Sequence, residues 1–271
     1  MSGYVPQYKV AASITFHHLR DGTLKWVRIA DPEAGRVDDF QVGSESRVDG
    51  FQVKWSQFGG PFTFKDLVGE TPGSPNLLAQ LAEGWTRLRA AHPGHRVVVH
   101  LVTNQTPSVH DKVPAGHAKP APRHFASFLA QAWEAFRGSS SRNVPDVWSA
   151  TWETLRRRSG LVKESFGQFV RDCQLEFGYN PPDLRTVRTR EQETVHNDLQ
   201  QLAQFLPMVV ADTARIVELS RDQLINGLGW RARVEFKSRH EFPVVEELYQ
   251  PVQPTVYSGP RSQDHFSSAI S

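Results

Sequence analysis

Sulfur is scarce in this chain of 271 residues, which holds one cysteine, Cys173, and two methionines. A lone cysteine excludes an internal disulfide framework. Long apolar runs are also missing. No window approaches the roughly 18 consecutive apolar residues of a membrane helix, and the opening MSGYVPQYKV lacks the apolar stretch of a signal peptide. The chain is therefore expected to be cytoplasmic and to make no use of a membrane. No GxxxxGK[ST] phosphate loop or other nucleotide fingerprint occurs, so a nucleotide-dependent small-molecule enzyme finds no support. Nor does one sign of charge dominate: the net charge of +2 permits contact with a polyanion without requiring it. What is present is a 39% hydrophobic content, enough for a buried core and long enough for one or two domains.

Apolar residues Val10, Ala11, Ile14 and Leu19 fall near helical spacing, and Arg20-Asp21-Gly22 ends the helix. Leu24 to Ile29 reads as a strand. Asp38 to Lys54, DDFQVGSESRVDGFQVK, reads as two strands joined by a turn, with Asp49-Gly50 supplying the positive φ values. Ser74 as cap and Pro75 as first residue open a helix to about Ala91. Val97 to Val102 is a nearly continuous β-branched run, as in a strand covered on both faces. This order describes an α/β lobe ending near Ser108. Pro107, Pro114, Pro120 and Pro122 make Thr106 to Pro122 a connector. Beyond it, Phe125–Gly138, Val147–Ser159, Leu161–Gly178, Arg190–Leu206 and Ser220–Leu228 have helical spacing and form a second, helical lobe. The division expected is 1–122 for the α/β core, 123–230 for the helical extension and 231–271 for a linker leading outward.

The hairpin sets a chemical question. Phe40 and Val42 point one way and Asp39 and Gln41 the other, while Phe51 and Val53 alternate with Gln52 and Lys54. One face then carries a carboxylate, an amide oxygen and a cation. Two hard oxygen ligands suit Mg²⁺, which keeps several waters and is often held by one or two side chains plus substrate phosphate. Lys54 is placed to stabilise negative charge on a phosphodiester undergoing hydrolysis. A half-exposed hairpin with no chemistry shows the same alternation, so spacing alone leaves both readings open.

The wider pattern narrows them. Gly3-Tyr4-x-x-Gln7, Asp38-Asp39, Gln52-x-Lys54, and Leu101-Val102-Thr103-Asn104 with Pro107-Ser108 resemble the PD-(D/E)xK nucleases, in the branch whose motif runs D…QxK. The likeness is to double-stranded DNA endonuclease effectors of bacterial antiphage systems, found in cyclic-oligonucleotide signalling and at the N-terminus of NLR-like STAND ATPases. It covers about the first 110 residues. Gly229-Trp230, Arg239 to Val244 and Tyr249 are similar to the segment joining nuclease to ATPase in the STAND proteins. The resemblance implies a restriction-endonuclease-like core, a mixed sheet flanked by helices, followed by the helical lobe. It further implies catalytic Asp39, Gln52 and Lys54, with Mg²⁺ or Mn²⁺ held by Asp39 and Gln52. Double-stranded DNA is the implied substrate, homo-oligomerisation the implied activation, and a STAND ATPase or sensor module the implied partner beyond the C-terminus. Where a further acidic ligand is common in the family, this chain has Gln7 or Arg28. The alternative is a catalytically inactive nucleic-acid-binding or oligomerising adaptor.

Other candidates rank lower. His110, His117 and His124 recur every seven residues, which matches no common zinc spacing. His17 and His18 are read as surface or packing residues. Cys173 lies in FVRDCQLEF, read as helix, where a buried small residue is commoner than a nucleophile. Arg156 to Arg158 end a helix, where cations complement the dipole. Arg185, Arg188, Arg190, Lys65, Lys112 and Lys119 form a phosphate-binding stripe only if the fold gathers them. Trp133, Trp148 and Trp152 have the spacing of core residues.

Overall fold

The structure, a computed structural model, describes residues 4–29, 39–69, 73–114, 124–138, 144–180, 190–213 and 217–228. It is an α/β fold. The elements run α1 (Tyr4–Arg20), β1 (Trp26–Ile29), β2 (Phe40–Gly43), β3 (Arg47–Lys54), β4 (Pro61–Phe62), α2 (Phe64–Val68), α3 (Leu77–Ala91), β5 (Arg96–Thr103) and β6 (Thr106–Pro107). There follow α4 (Phe125–Phe128), a π-helical turn (Leu129–Trp133), α5 (Glu134–Gly138), a 3₁₀ turn (Asp146–Trp148), α6 (Ser149–Ser159), α7 (Lys163–Arg171), β7 (Cys173–Glu176), α8 (Arg190–Thr213), β8 (Val217–Ser220) and α9 (Arg221–Gly227). Six strands make a mixed sheet in the order β7-β5-β3-β2-β1-β8, flanked by helices, and β4 pairs with β6 in a small second sheet. This arrangement is compatible with a restriction-endonuclease-like core.

The chain divides into two compact units, which differ from a split at residues 122 and 230. One holds residues 1–32, 38–48 and 180–271; the other holds 33–37 and 49–179. In the first unit β1 is antiparallel to both neighbours, with Trp26 opposite Gly43 on β2 and Ser220 on β8. Helix α1 turns Val10, Ala11, Phe16 and Leu19 inward, and α8 packs against α1 with Leu199, Leu202, Phe205 and Leu206 buried. Helix α8 thus returns to the N-terminal helix.

In the second unit β5 runs parallel to β7, with Val99 opposite Cys173 and Val102 opposite Glu176. Residues Val97 to Thr103 are all buried, as the β-branched run leads one to expect. Helix α3 packs on β5, and its Trp85 meets Phe169 of α7 edge-on. Trp133, Trp148 and Trp152 do serve packing. Trp152 touches Phe136 and Phe166, and Trp148 meets Phe128.

Several local expectations need correction. The hairpin turn is not at Asp49-Gly50 but at Ser44–Arg47, closed by the Ser44 amide and Oγ, both donating to the Arg47 carbonyl. Asp49 and Gly50 lie inside β3, where Asp49 is buried against an imidazole. Helix α3 is capped by Asn76, whose side chain accepts from the Ala79 amide, two residues beyond Ser74. FVRDCQLEF leaves its helix at Arg171 and continues as strand β7, because its backbone completes the ladder with β5. Thr106 and Pro107, read as connector, pair with Pro61 and Phe62. Among the described residues no helix is long and apolar enough to cross a membrane.

Candidate active site

Asp39 belongs to the first unit and immediately precedes β2. Its Oδ1 accepts a hydrogen bond from Gln7 Nε2 of α1 at 2.6 Å. Gln7 thereby fixes the orientation of the carboxylate. Arg28 makes an ion pair with Glu218 on β8, with Nε 3.0 Å from Oε2. Strand β2 is buried on both faces, Gln41 included, so the wet face expected of the hairpin is absent there. Asp38 lies outside the described residues.

Gln52 and Lys54 belong to the second unit. Two residues apart on β3, they share a face, yet their exposure differs: Gln52 is 5% exposed and Lys54, at the strand end, is exposed. Burial of an amide is tolerated when its polar atoms are hydrogen-bonded. Among the described residues no carboxylate forms an ion pair with the Lys54 ammonium. Just beyond, the Asn104 side chain clasps the backbone of Ser56, accepting from its amide and donating to its carbonyl, each at 2.9 Å. This clasp ties the end of β3 to the end of β5. The amide of Tyr179, past β7, donates to the Thr103 carbonyl. The C-terminal ends of three neighbouring strands are thereby fixed together, the edge at which open α/β sheets bind their ligands. Asn104 was one of the residues carrying the resemblance, and its role as a clasp was not legible from spacing.

Taken separately, the Asp39 carboxylate and the Gln52 amide carry the hard-oxygen chemistry that a small divalent cation prefers. The carboxylate is itself oriented by a hydrogen bond, as metal-ligating carboxylates are. Among the described residues no group of three or more histidine, cysteine and acidic side chains is arranged to hold a metal ion.

Sequence reasoning missed one cluster entirely. His100 on β5 lies between Asp49 of β3 and Glu176 of β7, with Nε2 2.7 Å from Asp49 Oδ1 and Nδ1 2.6 Å from Glu176 Oε1. The ring stacks on Phe51 at 4.3 Å. Burial opposes charge on this imidazole, but the two carboxylates outweigh it and raise its pKa. Because the two nitrogens sit on opposite ring edges, the carboxylates lie on opposite sides of the ring and do not converge on one point. The cluster is a proton-holding strap across three strands. A histidine interrupting the apolar run Val97 to Val102 was its only visible signal.

The remaining candidates separate on geometry. Cys173 is fully buried, and burial pushes its thiol far above the ordinary range, so it is no nucleophile. His18 Nδ1 is 2.9 Å from Thr23 Oγ1, a local helix-end contact. His110 and His124 have ring centroids 6.3 Å apart, while His117 lies outside the described residues. So do Arg185, Arg188 and Lys119 of the basic stripe. Lys65 and Lys112 occupy adjoining segments, since the Phe64 amide donates to Asp111 Oδ2 at 2.5 Å. Arg156 pairs bidentately with Glu153 along α6. Trp230 and the Arg239 to Tyr249 segment also lie outside the described residues.

No protein-family model matches the chain, and no curated protein matches it.

Proposed function

We propose that the chain is a metal-dependent endonuclease that cleaves double-stranded DNA. The observation that supports this most is Lys54, an exposed ammonium at the end of a strand in a mixed α/β sheet, two residues beyond the buried amide of Gln52. In this reading Asp39 and Gln52 hold Mg²⁺ or Mn²⁺, and Gln7 fixes the orientation of the Asp39 carboxylate. When bound, the cation supplies Lewis-acid polarisation of the scissile phosphate. Lys54 donates to a phosphate oxygen and stabilises the negative charge that grows as a water oxygen bonds to phosphorus and the P–O ester bond breaks. The surrounding β5 and β7 ends keep that edge of the sheet rigid, through the Asn104 clasp and the Tyr179 amide.

The D…QxK resemblance extends the reading to an effector in a bacterial antiphage protein, activated when several copies assemble under a STAND ATPase or sensor module. The direct test is supercoiled plasmid incubated with the purified chain in Mg²⁺ and in EDTA. Nicked and linear products in Mg²⁺ alone are expected; intact plasmid in both contradicts the assignment. A second reading, an inactive adaptor, is favoured by the presence of one carboxylate, Asp39, in the set. It predicts retarded DNA without cleavage in either buffer.

A further inference from the structure

We infer that Phe58 is a wedge that enters the DNA duplex beside the proposed cleavage site, an inference that rests on the endonuclease reading. Phe58 is 97% exposed, far more than Val162 at 63% or Val109 at 58%. A phenylalanine with its whole ring in water forfeits the burial its side chain ordinarily gains. Here the exposure is not that of a slack loop. The segment Trp55 to Gly60 joins β3 to β4 and is tied at both ends. Asn104 clasps Ser56 through two hydrogen bonds of 2.9 Å, Ser56 Oγ donates to the Gly59 carbonyl at 3.0 Å, and Gln105 Nε2 donates to the Gly60 carbonyl at 3.3 Å. Gly59 and Gly60 adopt φ values of 67° and 92°, which side chains other than glycine rarely accept. The loop is built to hold one aromatic ring away from the core.

Position selects the occupant. Phe58 follows Lys54 by four residues, a reach of at most about 14 Å. Base pairs repeat every ~3.4 Å along a strand. The backbone between Lys54 and Phe58 is thus short beside a turn of the duplex, so a phosphodiester engaged by Lys54 lies in the same neighbourhood as the ring. Apolar side chains inserted between base steps unstack them and bend the duplex without reading sequence. That suits a chain in which no base-reading element is apparent among the described residues. The wedge would grip and distort the duplex while Lys54 addresses its backbone.

The test uses a 20-base-pair duplex carrying 2-aminopurine, with Ca²⁺ replacing Mg²⁺ so that binding is read apart from cleavage. The wild type is expected to raise 2-aminopurine fluorescence at one position along the duplex. Phe58→Ala is expected to abolish that rise and weaken affinity about tenfold, with an unchanged unfolding midpoint, and Phe58→Trp to retain both. Equal affinity and equal fluorescence for wild type and Phe58→Ala, with the wild type binding, overturn the wedge and leave the endonuclease reading standing. Failure of the wild type to bind duplex overturns both. If light scattering finds a wild-type dimer that Phe58→Ala converts to monomer, with DNA affinity unchanged, the ring's occupant is a second copy and the wedge is likewise overturned.

Discussion

Asp39 and Gln7 form the smallest unit on which the functional account rests. A carboxylate held at one oxygen by a 2.6 Å hydrogen bond from an amide is oriented but not neutralised. Asp39→Ala is expected to stop plasmid cleavage, and Gln7→Ala to slow it by about ten- to a hundredfold, the usual scale for losing the group that orients a ligand. Asp38→Ala should do least, and the reverse order of Asp38 and Asp39 in a rate comparison would assign the carboxylate to the wrong residue. His100 gives a prediction of a different kind. Burial disfavours its charge, while the Asp49 and Glu176 hydrogen bonds raise its pKa overall. A raised folded pKa means that its stabilisation is complete below the ordinary histidine value of about 6.5 and is lost as pH rises through the folded value. Urea midpoints of the wild type should therefore fall as pH rises beyond neutrality, and the difference from His100→Gln should shrink over the same interval. Parallel curves for the two proteins would contradict this.

At the scale of elements, the close approach of β1 and β2 depends on a missing side chain. A Cβ on Gly43 would lie 2.1 Å from the indole of Trp26, directly opposite on β1. Gly43→Ala is expected to cost about 1–3 kcal/mol as the indole is displaced, readable as a lower urea midpoint; an unchanged midpoint would mean that the ring moves freely. Elements with long periodic patterns were legible in the sequence: α1, the run that became β5, and the helices of residues 125–171 all lie close to where spacing puts them. The four-residue strands β7 and β8 were not. Cys173 to Glu176 continues a helical spacing, and only the ladder from β5 makes it a strand. Asp49-Gly50 carries a strong turn signal, but pairing of Asp49 with a histidine 51 residues away decides its place. The candidate site was legible as residue types, Asp39, Gln52 and Lys54. Its environment was not, because alternation along β2 and β3 cannot reveal whether the second face is covered, and both Gln41 and Gln52 are buried.

The molecule as a whole raises the matter of control. On the proposed endonuclease reading, cleavage without sequence readout would endanger the host genome, so activity is expected to depend on assembly, as the STAND resemblance also implies. Holding copies together raises their effective concentration and lets two sites address the two strands of one duplex. The cleavage rate per protomer should therefore rise with concentration or on fusion to an oligomerising tag; a rate per protomer that is constant across both would remove control by assembly. The most direct test of the central claim is the initial rate of plasmid cleavage in Mg²⁺ by the wild type beside Lys54→Ala. Lys54 is exposed at a strand end, so its truncation should leave stability within about 0.5 kcal/mol of the wild type. The account predicts cleavage by the wild type and none by a Lys54→Ala protein with an unchanged unfolding midpoint. Equal rates for the two would contradict it.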